Sequence, residues 1–260
     1  MDAFEEFIFS VSPTLEMLNV TFRSLFREPM KRSRDRVAFQ QLVVLELFGR
    51  ISYGANLYDS MVAPSLVALS FYVKTAKRRD YEGVASMLQA SMPPLKSINV
   101  QSDNYFEINY DDSIPLWPTL THLTIYASYT PKSVLYDLTS TDEEGASFNF
   151  CPNLEVLELA GPGKAIALDK VVDFIVARRP LDRTRTQEGC EADNSKPEKA
   201  VTTCVSGHLR RVHISTSTVQ IPNDEFMEIP EIEERIQDGL RVCVCSTHCC
   251  DKCVRLRFLF

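Results

Sequence analysis

Apolar residues recur along this chain in a fixed frame, and the frame predicts a series of short strands. It is clearest in Cys151 to Gly161 (CPNLEVLELAG), where Leu154, Leu157 and Leu159 occupy the first, fourth and sixth positions of LxxLxL. Six altered copies share it: SPTLEMLNV, FQQLVVLEL, APSLVALSF, MPPLKSINV, WPTLTHLTI and SGHLRRVHI. Their first apolar residues, with Leu154, form the series Leu15, Leu42, Leu66, Leu95, Leu120, Leu154 and Leu209, separated by 27, 24, 29, 25, 34 and 55 residues.

Internal similarity at a period of about 20 to 29 residues marks a leucine-rich-repeat solenoid, in which each unit contributes one short strand. The fold class expected is therefore α/β: a horseshoe of about seven parallel strands with irregular convex helices and loops. Pro13, Pro64, Pro93, Pro118 and Pro152 each stand two residues before a first leucine. Proline suits the entry to a strand and not its interior.

Strand alternation sends the first, fourth and sixth positions inward and the third, fifth and seventh to the opposite, concave face. The seventh-position row is Thr21, Phe48, Tyr72, Gln101, Tyr126, Ala160 and Ser215. The fifth is Asn19, Glu46, Ser70, Asn99, Thr124, Glu158 and His213, and the third is Met17, Val44, Ala68, Ser97, His122, Val156 and Arg211. Exposed aromatics beside polar groups resemble the anchors and rim of an interface. The partner-binding candidates are accordingly Phe48, Tyr72, Gln101, Tyr126, Glu46, Asn99, Glu158, His122 and His213, and the bland alternative is β-favouring residues on a solvated sheet.

Between the strands the pattern changes to helical spacing, as a parallel crossover requires. Ala3 to Val11 places Phe4, Phe7 and Ile8 at helical intervals, Tyr81 to Ala90 puts Val84, Met87 and Leu88 on one face, and Leu57 to Val62 is a shorter helix-like stretch. Leu168 to Arg179 carries a stripe of Leu168, Val171, Val172, Ile175 and Val176, stopped by Pro180. Phe226 to Leu240, with Ile229, Ile232, Ile236 and Leu240, reads as a turn and a last helix that caps the solenoid. Tyr136 to Ser147 reads as a polar, acidic loop, and 181–205 as a disordered insertion almost without apolar residues. The expected organisation is a repeat domain over 1–240 and a cysteine-rich tail over 241–260.

Composition narrows the partners. With a formal charge of -7 the chain lacks the basic surplus of a general nucleic-acid binder, and the basic cluster Lys31 to Arg36 reads as a solvated convex loop, the alternative being a nuclear-localisation or phosphate-binding patch. No run approaches the roughly 18 apolar residues of a membrane span, so no membrane partner is expected. The acidic start MDAFEE lacks the basic opening of a secretory signal, which points to the cytoplasm or nucleus with reduced thiols.

Catalytic motifs such as GxSxG, HExxH or a glycine-rich phosphate loop are missing from the sequence. His122, His208, His213 and His248 form no triad pattern, and no enzyme and no cofactor are expected. The one candidate for metal chemistry is the terminal cluster Cys243, Cys245, His248, Cys249, Cys250 and Cys253. Zinc takes four such ligands in a tetrahedron, but only Cys250 to Cys253 has a CxxC spacing. No metal residue is assigned on that pattern; the same stretch also reads as a terminal strand, Arg241 to Cys245, with incidental cysteines, or as a tail foreign to the repeat.

The Pro-x-Leu entries SPTLEML, APSLVAL, WPTLTHL and CPNLEVL, from Ser12 to about Leu240, resemble the leucine-rich-repeat half of fungal F-box proteins. The resemblance implies a ubiquitin-ligase substrate receptor whose repeats hold a protein partner. In that family an F-box of some forty residues docks on the ligase adaptor, and no F-box-like segment precedes Ser12, so the adaptor is an expected partner only if an F-box is supplied elsewhere. The asparagine ladder of regular repeats is also replaced, by Arg23, Arg50, Lys74, Asp103, Ser128, Pro162 and Ser217. The expectation is a non-enzymatic protein-binding module; the alternatives are a zinc-binding module built on the terminal cysteines and a fragment without independent function.

Overall fold

The structure is a computed structural model that describes residues 3–22, 36–49, 58–73, 78–105, 118–129, 132–141, 148, 150–161, 168–180, 209–216 and 223–246. Its strands are β1 (Met17–Phe22), β2 (Val37–Ala38), β3 (Val44–Gly49), β4 (Met61–Val62), β5 (Ala68–Val73), β6 (Ser97–Tyr105), β7 (His122–Tyr129), β8 (Val156–Gly161), β9 (Arg211–Thr216) and β10 (Arg241–Ser246). β2 and β4 pair with each other, while the remaining eight form a single sheet in the order β1-β3-β5-β6-β7-β8-β9-β10. Every neighbouring pair in that sheet is parallel. The molecule is thus α/β, with a large parallel sheet to which each new strand adds on the same side.

The register follows the leucine frame. Residues at the position after each first leucine are joined by backbone bonds: the amide of Val43 donates to Glu16 at 2.8 Å, Val67 to Val43 at 2.9 Å and Lys96 to Val67 at 2.8 Å. Thr121 continues to Lys96 at 3.0 Å, Glu155 to Thr121 at 2.9 Å, and Arg210 to Glu155 at 2.7 Å. Leu42, Leu66, Leu95, Leu120, Leu154 and Leu209 are buried, and so are the fourth-position residues from Leu18 to Val212. Leu15, just ahead of β1, and Val20, on it, are only partly buried. A one-residue slip would turn each of these side chains to the other face, so burial of the frame holds the register.

Helices supply the other wall of the core. They are α1 (Ala3–Val11), α2 (Arg78–Ser91), α3 (Lys132–Thr139), α4 (Leu168–Arg178), α5 (Asn223–Met227) and α6 (Pro230–Gln237). Val84, Met87 and Leu88 of α2 are buried as their spacing predicts, and they join Val134, Leu135, Val171, Phe174, Phe226 and Ile232 in one cluster with the strand leucines.

Five expectations are corrected. The sheet has eight strands where about seven were expected, because Arg241–Ser246, for which a terminal strand was one of the readings, pairs with β9 in full register. The segment Phe226 to Leu240 therefore lies before a strand and does not close the end of the sheet; it contains the end of α5 and all of α6. The supposed loop from Tyr136 overlaps α3, whose apolar residues Val134, Leu135 and Leu138 are buried. In α1 Ile8 of the expected stripe is inside, whereas Phe7 is 64% exposed, since a helix of this length presents a single narrow face to its neighbour. In α4 the stripe is Val171, Phe174, Ile175 and Arg178, with Val172 partly buried. The insertion 181–205, Lys31 to Asp35, and the tail from Thr247 onward lie outside the described residues. Among the described residues no helix is long and apolar enough to cross a membrane.

Two neighbouring arginines at the end of α4 tie successive units together. Arg178 is buried and reaches backward: Nε donates to the carbonyl of Leu138 at 2.6 Å, Nη1 to that of Cys151 at 2.7 Å, and Nη2 to that of Phe150. Its guanidinium lies 3.8 Å from the centre of the Phe148 ring. Burial pushes the group down to about 10, so it remains charged at neutral pH. Arg179 reaches forward, donating to the carbonyl of Leu209 at 2.7 Å and pairing with the Asp238 carboxylate at 3.0 Å. Beyond it, Arg235 returns a bond to the Arg179 carbonyl at 2.8 Å.

Candidate functional site

The sheet face opposite the leucines is built by the odd positions of the frame, and the register aligns them in rows. One row runs Asn19, Glu46, Ser70, Asn99, Thr124, Glu158, His213 and Cys243. Parallel sheets are ordinarily covered on both faces, whereas Glu46, Ser70, Asn99, Thr124 and Glu158 keep partial exposure. Hydrogen bonds run along the row: Asn19 Nδ2 donates to Glu46 Oε2 at 2.5 Å, and Thr124 Oγ1 to Glu158 Oε2 at 3.4 Å. The side-chain oxygen of Asn99 is buried without a hydrogen-bond partner, an unsatisfied acceptor of the kind that native structures rarely retain.

A second row carries the aromatic residues. Tyr72 stands opposite Gln101, and Gln101 opposite Tyr126. Phe48 faces Thr21 on its other side. Tyr126 is 40% exposed, and Phe48, Tyr72 and Gln101 are partly so. The aromatic column expected from Phe48, Tyr72 and Tyr126 is thus interrupted by Gln101, with the two tyrosines flanking an amide. His122 lies on β7 between Ser97 and Val156, its Nδ1 2.8 Å from Thr121 Oγ1.

Toward β9 and β10 the face changes character. Ala160, His213 and Ser215 are buried. His213 belongs to a different constellation from the other candidates: its Nε2 lies 3.3 Å from Cys245 Sγ. His213, Cys243 and Cys245 have their ligand-capable atoms within 4.8 Å of one another. His213 and Cys243 are cross-strand partners, and Cys245 follows two residues on, where strand alternation returns the side chain to the same face.

Sequence spacing alone grouped Cys243 and Cys245 with the terminal cysteines and His213 with the partner surface. The alternation Arg241-Val242-Cys243-Val244-Cys245 was the available signal, since valines inward and cysteines outward follow the same frame as β9. Cys249, Cys250, Cys253 and His248 lie outside the described residues. Cys151 is set apart from this cluster: it is buried, and burial pushes its thiol up to about 12, in spite of the opposing influence of Arg178. Compared with protein-family models, curated proteins and solved structures, the chain matches none.

Proposed function

We propose that this chain is a non-enzymatic protein-binding module, a leucine-rich-repeat solenoid that holds a protein partner on the open face of its sheet. The observation that carries the reading is the in-register surface formed by Glu46, Asn99, Thr124 and Glu158 with Tyr72, Gln101 and Tyr126 beside them. Five strand intervals from β1 to β8, of about 4.8 Å each, and six residues of about 3.3 Å give an open face of roughly 24 by 20 Å. That is smaller than the ~800 Å² per partner of a standard protein interface and suits a peptide or a small contact. Tyrosines supply large contact area with few rotatable bonds, and the polar row supplies orientation.

The partner class follows from this chemistry: a folded protein or an extended peptide offering donors to Glu46 and Glu158, with apolar groups for the tyrosines. The resemblance to F-box substrate receptors makes a ubiquitin-ligase substrate the specific candidate, with the adaptor as a further partner where an F-box is supplied elsewhere. The test is a quantitative comparison of proteins captured by wild type and by the Phe48→Ala/Tyr72→Ala/Tyr126→Ala variant, both confirmed folded by circular dichroism. Partners lost selectively by the variant support the reading. Identical captures by the two proteins would remove the face from consideration.

A further inference from the structure

We propose that His213, Cys243 and Cys245 form a zinc(II) site at the β9–β10 edge of the sheet. The three side chains come from two adjacent parallel strands and share one face, because His213 and Cys243 are partners in register and Cys245 lies two residues beyond Cys243. The constellation does not depend on the protein-binding reading or on the residues after Ser246.

The distances suit a metal of this kind. Zinc–sulfur bonds of about 2.3 Å and zinc–nitrogen bonds of about 2.0–2.1 Å in a tetrahedron require donor atoms roughly 3.6–3.8 Å apart. Here all three donors lie within 4.8 Å of one another, with His213 Nε2 and Cys245 Sγ at 3.3 Å. Displacements of the donor atoms of about an ångström or less therefore bring all three to that spacing. Two thiolates balance the charge of a divalent ion, and sulfur with imidazole nitrogen selects zinc over the hard cations magnesium and calcium.

The surroundings favour occupancy as well. His213 is buried, which fixes its ring, while Cys243 and Cys245 are partly exposed and leave an approach for the ion. Glu158, on the strand beyond His213, places a carboxylate on the same face, the residue type that commonly orients a metal-bound imidazole. Three protein donors leave one tetrahedral position for water or an added ligand.

Chelator-stripped full-length protein titrated with cobalt(II) provides the test, because tetrahedral thiolate coordination gives a sulfur-to-cobalt charge-transfer band and intense d–d absorption. The expected result is saturation at one equivalent, with the spectrum abolished by zinc(II). Cys243→Ser, Cys245→Ser and His213→Gln should each weaken binding by at least about tenfold, since even residues that only support a ligand contribute 10- to 100-fold. A Cys249→Ser/Cys250→Ser/Cys253→Ser variant should retain the one-equivalent spectrum.

Absence of the charge-transfer band in the stripped protein would overturn the proposal, and so would its loss in the triple tail variant with retention in Cys243→Ser and Cys245→Ser. A second measurement requires no substitution and so does not depend on any variant folding. Zinc(II) should protect Cys243 and Cys245 from iodoacetamide, as read by peptide mass mapping. Equal labelling of those two thiols with and without zinc would also overturn the assignment.

Discussion

Arg178 Nη1 donates to the carbonyl oxygen of Cys151 across 2.7 Å, joining the end of one helix to the entry of a strand that precedes it in the chain. The same guanidinium serves the carbonyls of Leu138 and Phe150, so one side chain satisfies three backbone acceptors. Loops between repeat units leave such acceptors behind, because the chain turns there without a regular ladder.

Replacing Arg178 should therefore be costly. Arg178→Met keeps much of the volume but removes a donor from three carbonyls, of which that of Cys151 keeps the Leu154 amide as a partner; an acceptor left buried and unpaired costs about 1–3 kcal/mol. The expected loss is about 2–4 kcal/mol, read from the urea midpoint. Arg178→Lys should recover only part of it, because an ammonium lacks the planar fork that reaches separate carbonyls. A midpoint unchanged in Arg178→Met would contradict the clamp.

Cys151 should be silent toward alkylation while the protein is folded. Its thiol is raised from 9.0 to about 12 by burial, and only the thiolate reacts. In chelator-treated protein at mildly alkaline pH, iodoacetamide should label the partly exposed Cys243 and Cys245 well before Cys151. Denaturant should then open Cys151 to the reagent. The sign for stability follows by linkage: the unfolded chain releases the Cys151 proton above about pH 9 while the folded one retains it, so this residue's contribution falls as pH rises from about 9 to about 12. Cys151→Ala should flatten that alkaline decline; an equally steep decline in the variant would assign it to other groups.

Adjacent positions on β7 should respond in opposite ways. Ile125 is fully buried and Tyr126 is 40% exposed. Ile125→Ala should cost about 2–5 kcal/mol through lost burial and the cavity it leaves. Tyr126→Ala should change stability by about 0.5 kcal/mol or less while weakening partner capture. Comparable stability losses at the two positions would mean that the open face carries structural load.

Gly239 ends α6 in a left-handed conformation with φ 95°. Its amide donates to Ile236 and that of Leu240 to Arg235, the paired bonds of a Schellman motif that delivers buried Leu240 to the start of β10. An added Cβ would meet Arg179 Nη2 at 3.6 Å, an ordinary contact, so the penalty is conformational alone. Gly239→Ala should destabilise by about 1–2 kcal/mol, measured by thermal or urea unfolding. Because the motif sets up β10, the same change should weaken cobalt binding at Cys243 and Cys245.

What the sequence determined by itself was the repeat frame and its two faces. Side chains alternate along a strand, so leucines at positions four and six had to point together, and the spacing alone places seven strands from Leu15 to Leu209. The helices around Val84 to Leu88 and Val171 to Ile175 were legible for the same reason: their spacing is local. The eighth strand stayed one reading among several for Arg241 to Cys245, because Gly239 stands where its register calls for a first leucine, and Leu240, one residue later, fills the buried place. Only the tertiary structure decided which odd-position residues meet. His213 and Cys245 are 32 residues apart in the chain, and Arg178 and Cys151 are 27 apart. Contacts at that separation depend on which strands become neighbours and on where the intervening loop returns, and neither is encoded in the spacing of residues within a single unit.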